Sequence, residues 1–155
     1  MSGYELAWLA SFIGIKPEDL ARPEELEKRL RLQKAVFLLK HLGIDPFTNY
    51  EFNLYIRGPY SPSLAREYYG ISSGLDAKGL KPVPLNLGGK EDLLKWFVSK
   101  EEGWLEVASS ILWIKERYPS ISEKELFSIL QLSKPWVNEE DFKGILKDLL
   151  SKSLL

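Results

Sequence analysis

The chain has no cysteine, one histidine and one methionine in 155 residues. Without cysteine it forms no disulfide, offers no thiolate to a metal and has no thiol nucleophile, a pattern that fits a reducing compartment. One imidazole, His41, cannot build a histidine-rich zinc site or an obvious acid–base pair. Its place just before Gly43 reads as a helix end at the surface, where a cation suits the negative end of the dipole. No metal and no cofactor are expected. Long apolar runs are also missing. Residues 35–39 are among the longest, far short of the roughly 20 residues that span a bilayer. No basic stretch followed by an apolar core and a cleavage site opens the chain, so no export signal is expected, and the expectation is a soluble, cytoplasmic protein.

Charge of one sign is not in excess either. With 21 basic and 22 acidic residues the formal net charge is −1, which argues against a whole-chain attraction to nucleic acid or to an anionic membrane. Hydrophobic residues at 45% and charged residues at 28% are ordinary for a folded protein. The length predicts one globular domain over residues 1–155, and five tryptophans predict an aromatic contribution to its core. Little Asn and Gln beside abundant Lys and Glu gives a thermophile-like composition.

Periodicity predicts a mainly helical fold with a small β-strand or hairpin element. Leu6, Leu9, Phe12 and Ile13 mark a first helix that Gly14 ends, and residues 16–20 read as a turn. Pro23 in a first turn, with Glu24, Glu25 and Glu27 beside it, opens a second helix running to about Leu42. Residues 35–39 leave that helix no polar face, so it is predicted to be central. Tyr50, Phe52, Leu54 and Ile56 alternate with Glu51, Asn53, Tyr55 and Arg57, the period of a strand with one buried face. Gly58-Pro59 is predicted to end it, and Ser61-Pro62 to cap a short helix that Gly70 terminates. Residues 70–89 read as a long loop, wing or flap, in which Val83, Leu85 and Leu87 suggest a short strand.

Further on, residues 90–98 and 101–118 read as helices. The second shows Trp104, Val107, Ala108, Ile111 and Tyr118 on one face, widened by Leu105, Leu112 and Trp113. Ser122 and Glu125 form a capping box for a helix carrying Leu126, Ile129 and Leu130. Asn138 caps a last helix with Phe142, Ile145, Leu146, Leu149 and Leu150 facing inward. The last two helices, joined by Ser133-Lys134-Pro135-Trp136-Val137, make a helical hairpin or a helix-turn-helix, so a winged-helix-like arrangement is one expectation. No internal repeat and no low-complexity tract appears.

Two stretches carry a family resemblance: Arg31-Leu32-Gln33-Lys34 running into residues 35–39, and residues 52–64 with their Arg57-Gly58-Pro59-Tyr60-Ser61. Together they resemble YwgA-like proteins, which show a basic-Leu-Gln-Lys helix, an aromatic strand ending in Gly-Pro-Tyr-Ser, and a C-terminal helix pair similar to the one here. The likeness in motif order covers about two thirds of the chain. Ile56-Arg57 departs from it, standing where the family runs directly from an aromatic residue to Gly-Pro. A more distant likeness is to Panacea, or SocA-like, domains, which also begin with a Leu-Gln-Lys helix. The resemblance implies a regulatory, antitoxin-like or adaptor role and no established activity.

Arg57 and Tyr60 beside the free N–H groups of a helix start would suit an anion, a carboxylate or a protein partner. Gly58, Pro59 and Ser61 equally have structural reasons, a sharp strand exit and a cap. Arg57, Tyr60 and Ser61, with Arg66 on the following helix, are the expected partner-binding residues. Lys28, Arg29, Arg31, Lys34 and Lys40 spread around their helix among glutamates, which suits a solvated or paired surface, with Gln33 and Lys34 able to serve interior backbone groups. Lys90 after Gly88-Gly89 lacks the ending a phosphate loop requires. The paired carboxylates all sit at helix starts, where the dipole accounts for them. No catalytic constellation is recognisable. The leading expectation is a non-enzymatic regulatory or adaptor protein acting through protein–protein contact. Its alternative is a winged-helix-like nucleic-acid binder using Arg31, Lys34, Lys143 and Lys147, disfavoured by Glu139, Glu140, Asp141 and Asp148 on the would-be reading helix.

Overall fold

A computed structural model describes residues 3–78 and 83–155. Mostly helical, it contains α1 (Gly3–Phe12), α2 (Leu26–His41), α3 (Pro62–Lys78), α4 (Glu91–Val98), α5 (Glu102–Arg117), α6 (Glu123–Ser133) and α7 (Glu139–Ser151). Between α2 and α3 lies a two-stranded antiparallel hairpin, β1 (Asn53–Tyr55) and β2 (Gly58–Tyr60). Among the described residues no helix is long and apolar enough to cross a membrane.

The helix starts follow their caps. Ser122 Oγ accepts from the backbone N–H of Glu125 at 3.1 Å, and Asn138 Oδ1 accepts from that of Asp141 at 2.7 Å. Short 3-10 turns at Pro17–Ala21 and Pro23–Glu25 precede α2, each with proline at its start. Helix α2 is central, as its unbroken apolar run requires. Leu32, Ala35, Val36, Phe37, Leu38 and Leu39 are all buried, with α4, α5, the hairpin and the 3-10 turns packed around them.

Three polar residues of this helix, two of them basic, are not on a solvated surface. Arg29, Lys34 and the neutral Gln33 are all buried, and each spends its donors on backbone carbonyls from other segments. Arg29 reaches Leu20 and Arg22, and Gln33 reaches Ser61. His41, expected at the surface, is likewise mostly covered, its side chain 17% exposed. It contacts the Glu116 carboxylate and donates from Nε2 to the Leu154 carbonyl at 3.0 Å, fastening the C-terminus to α2. Burial works against its protonated form, but Glu116 and the Leu154 carbonyl outweigh that, so its pKa is raised.

The structure corrects the sequence reading in the middle of the chain. The predicted strand pairs only over Asn53–Tyr55, and Ile56, expected on its buried face, is 81% exposed. Ile56 and Arg57 form the turn of the hairpin, which breaks the alternation. Gly58-Pro59 begins the return strand instead of ending the sheet, in the register Asn53↔Tyr60, Leu54↔Pro59, Tyr55↔Gly58. Gly70 does not stop α3, because Tyr68 and Ile71 on either side bury against the core and carry the helix on to Lys78. Of the predicted loop, residues 79–82 lie outside the described residues. Val83, Leu85 and Leu87 form no strand, Leu87 alone being fully buried. Tyr118, Ile129 and Leu150, expected inward, are exposed; Tyr118 sits just beyond the end of α5, and the other two lie beside buried Leu130 and Leu149, which take the core positions.

Gln33 is the polar residue most deeply committed to the core. Its Nε2 donates to the Ser61 carbonyl at 3.0 Å and its Oε1 accepts from the Ser61 N–H at 2.8 Å, as a neighbouring strand would. Leucine at this position keeps the volume but leaves the Ser61 N–H unpaired in the interior and its carbonyl with the Ala65 N–H alone, at 3.1 Å. Gln33→Leu is therefore expected to destabilise the fold by roughly 1–3 kcal/mol, read from the midpoint of urea unfolding.

Candidate functional site

The strongest concentration of polar side chains surrounds the Ile56-Arg57 turn. Neither turn residue has positive φ, whereas Gly58 adopts +98°. The twist that a tight hairpin needs thus falls on the glycine, the only residue type that takes it freely. A second constraint acts at the same place. A Cβ on Gly58 would stand 3.1 Å from Lys34 Cε and 3.2 Å from Ser109 Oγ.

Two buried lysines hold the turn from opposite directions. Lys34, on α2, donates to the carbonyls of Arg57 and Pro59 at 2.5 and 3.4 Å. Lys134, just past the end of α6, donates to the carbonyl of Ile56 at 2.8 Å. Each is only 2% exposed. Glu106 on α5 lies between them, 3.9 Å from Lys134 Nζ and 4.0 Å from Arg57 Nε, and Glu102 takes Arg57 Nη1 at 2.7 Å. Burial pushes the Lys34 ammonium down to about 8 against the pull of Glu106, and it lowers Lys134 for the same reason.

Above this support lies a groove of about 350 Å³, lined by Leu30, Tyr55, Ile56, Arg57 and Tyr60 with Lys34 and Gly58 at its base. Tyr55 and Tyr60 meet edge to face, their ring centroids 5.6 Å apart, so the groove wall is a fixed aromatic pair. Among the described residues no carboxylate lines the groove, and its one amine, Lys34, is occupied by carbonyls. Among the described residues no three His, Asp or Glu side chains gather as a metal would need.

The expected partner residues therefore divide. Arg57 and Tyr60 belong to the groove, and Arg66 is exposed on the first turns of α3. Ser61 is fully buried, its N–H and carbonyl held by Gln33 and its hydroxyl capping α3 at Leu64, so it cannot touch a partner. The four cations of the nucleic-acid alternative are not equivalent. Lys34 is interior, Arg31 pairs with Glu27 and Lys143 with Glu139, while Lys147 is exposed. Sequence reasoning missed Ile56, assigned to a buried strand face, and Lys134, hidden in what reads as a polar linker. No family model, curated protein or solved structure matches this chain.

The lysine burial has a pH signature. Below about 8 Lys34 is charged in both folded and unfolded chains, and the folded state bears the full cost of burying that charge. Between there and its ordinary value of 10.5 the unfolded chain holds more protons, so stability gains with rising pH. Urea unfolding of the native protein and of Lys34→Met at pH 7 and pH 10 isolates the effect: the difference between them is expected to shift in favour of the native chain by on the order of 2 kcal/mol at the higher pH.

Proposed function

We propose that this chain is a non-enzymatic regulatory or adaptor protein of YwgA-like kind, and that it holds a protein partner at the hairpin turn through Tyr55, Ile56, Arg57 and Tyr60. One observation carries the reading. A large apolar side chain, Ile56, is 81% exposed at the tip of a turn whose backbone is fixed by two buried lysines. Burying a lysine is costly, so a turn serving only to reverse the chain would not need two. A rigidly mounted apolar tip flanked by an arginine and two tyrosines has the composition of an interface anchor, since Tyr and Arg are enriched where binding energy concentrates and pre-organisation lowers the entropy lost on association. The Leu-Gln-Lys and Gly-Pro-Tyr-Ser motifs that give the resemblance are the two halves of that mount. The nucleic-acid alternative draws less support, because Lys34 is withdrawn from solvent and Glu139, Glu140 and Asp141 open α7.

Ile56→Asp tests the proposal without disturbing the mount, since the Ile56 side chain is in solvent and its carbonyl bond to Lys134 is kept. Native and variant chains are used as bait in extract of the source cell, and retained proteins and nucleic acids are identified. A protein partner retained by the native chain is expected to bind the variant about tenfold more weakly or worse when the pair is reconstituted, with an unchanged melting temperature. Equal retention by both chains, or retention of nucleic acid alone with a steep salt dependence, defeats the proposal.

A further inference from the structure

A second groove, of about 560 Å³, runs between α5 and α7, with Trp104 and Trp136 on its walls and Glu101, Glu140, Asp141 and Asp148 around it. Among the described residues no lysine or arginine lines it. Among the described residues Glu101, Glu140 and Asp141 form no ion pair, and the Asp148 carboxylate accepts only from Trp104 Nε1, at 3.3 Å. The first three sit at helix starts, where the dipole favours them. Asp148 does not: it stands in the last turn of α7, at the negative end, where stability alone would place a cation.

Two further observations point to an occupant. Gly144 lies in the interior of α7, where glycine costs about 1 kcal/mol relative to alanine. Nothing in the packing requires it, because a Cβ there would meet no atom within 4 Å. It keeps helix backbone open along the groove, as close approach of a ligand demands. The other is Trp136, which is 56% exposed and lies over Gly103, whose Cβ would be 3.4 Å from the ring. Other indoles of this chain carry cations: Lys100 lies over Trp96 and over Trp104 of the groove wall itself, Lys152 over Trp96 and Arg117 over Trp113. Among the described residues no cation covers Trp136.

We infer that this groove docks a basic peptide segment of a partner protein, with an arginine or lysine stem laid on Trp136, its charged head among Glu140, Asp141 and Glu101, and an apolar neighbour over Gly144. The charge complementarity selects that occupant: an anionic ligand is repelled by four carboxylates, and a purely apolar one leaves them desolvated without partners. The inference stands independently of the hairpin proposal.

The test uses the full chain and two decapeptide libraries, identical except that the central residue is arginine or lysine in one and glutamate in the other. The basic library is expected to be retained about tenfold or more over the acidic one, falling as salt rises. Its enriched peptides are then titrated against variants by fluorescence anisotropy. Gly144→Leu fills the groove from a position with room for the side chain and greater helix propensity. It is expected to weaken binding about tenfold or more, as is Glu140→Gln combined with Asp141→Asn, while Ile56→Asp leaves it unchanged. No preference for the basic library overturns the inference. So does equal affinity for Gly144→Leu, or for the doubly neutralised chain, each confirmed as folded by its melting temperature.

Discussion

Everything in the middle of this molecule depends on α2 reading the hairpin backbone with two consecutive side chains. A two-stranded hairpin has too little partnered surface to be stable in water, and among the described residues no third strand comes to help it. Gln33 supplies what a third strand would, an N–H and a carbonyl facing Ser61 where the chain leaves β2. Lys34 then takes the carbonyls of Pro59 and Arg57 further back. One turn along the helix, Phe37 meets Phe52 edge to face, its centroid 5.4 Å away, where the chain enters β1. A single helix face thus fixes the entry, the turn and the exit of the hairpin.

Polarity in that position is expensive, which is why it specifies so much. A buried ammonium is tolerated only where carbonyls and a carboxylate face it, so Lys34 and Lys134 each admit one arrangement of their surroundings. Lys134 carries the constraint outward. It belongs to the connection between α6 and α7, yet its partner is the Ile56 carbonyl, so the C-terminal helix pair is positioned against the turn as well as against α5. Glu106 joins the two lysines to Arg57 from the α5 side, and Ser109 closes on Gly58 from the same helix. A residue larger than glycine at position 58 would meet both the φ constraint and this close approach.

What was legible in the sequence follows from how local each signal is. Helix starts at residues 122 and 138 were plain because a cap is written within four residues. The hairpin was not, because Ile56 continues the apolar alternation one step beyond the point where the strand ends. Gly58-Pro59 has the composition of a strand breaker, while its glycine bends the chain so that pairing can resume. The basic stretch of α2 looked like a solvated surface because sequence shows charge and not the carbonyls that charge will meet, and Lys134 was invisible for the same reason. Of the candidate site, Arg57 and Tyr60 were recognisable from an unusual motif. Ile56, the most exposed apolar residue of the groove, was hidden by the assumption that isoleucine is buried.

Among the positions that depart from what stability alone favours are an isoleucine in water at residue 56, a half-bare tryptophan at residue 136, and a helix-interior glycine at residue 144 with room beside it. A fold whose interior is otherwise consistent with its sequence keeps such departures where function needs them. These three are linked. Arg57 next to Ile56 pairs with Glu102, and Gly103, the following residue, lies against Trp136, which borders the groove that Gly144 leaves open. The start of α5 thus separates two surfaces of different character, an apolar tip beside an arginine on one side and an acidic, indole-lined channel on the other. A net charge near zero conceals that division, because the compensating charges lie in different places. A partner that presents an apolar pocket and a basic segment a short distance apart would engage both at once, and the second contact would form at the high local concentration set by the first.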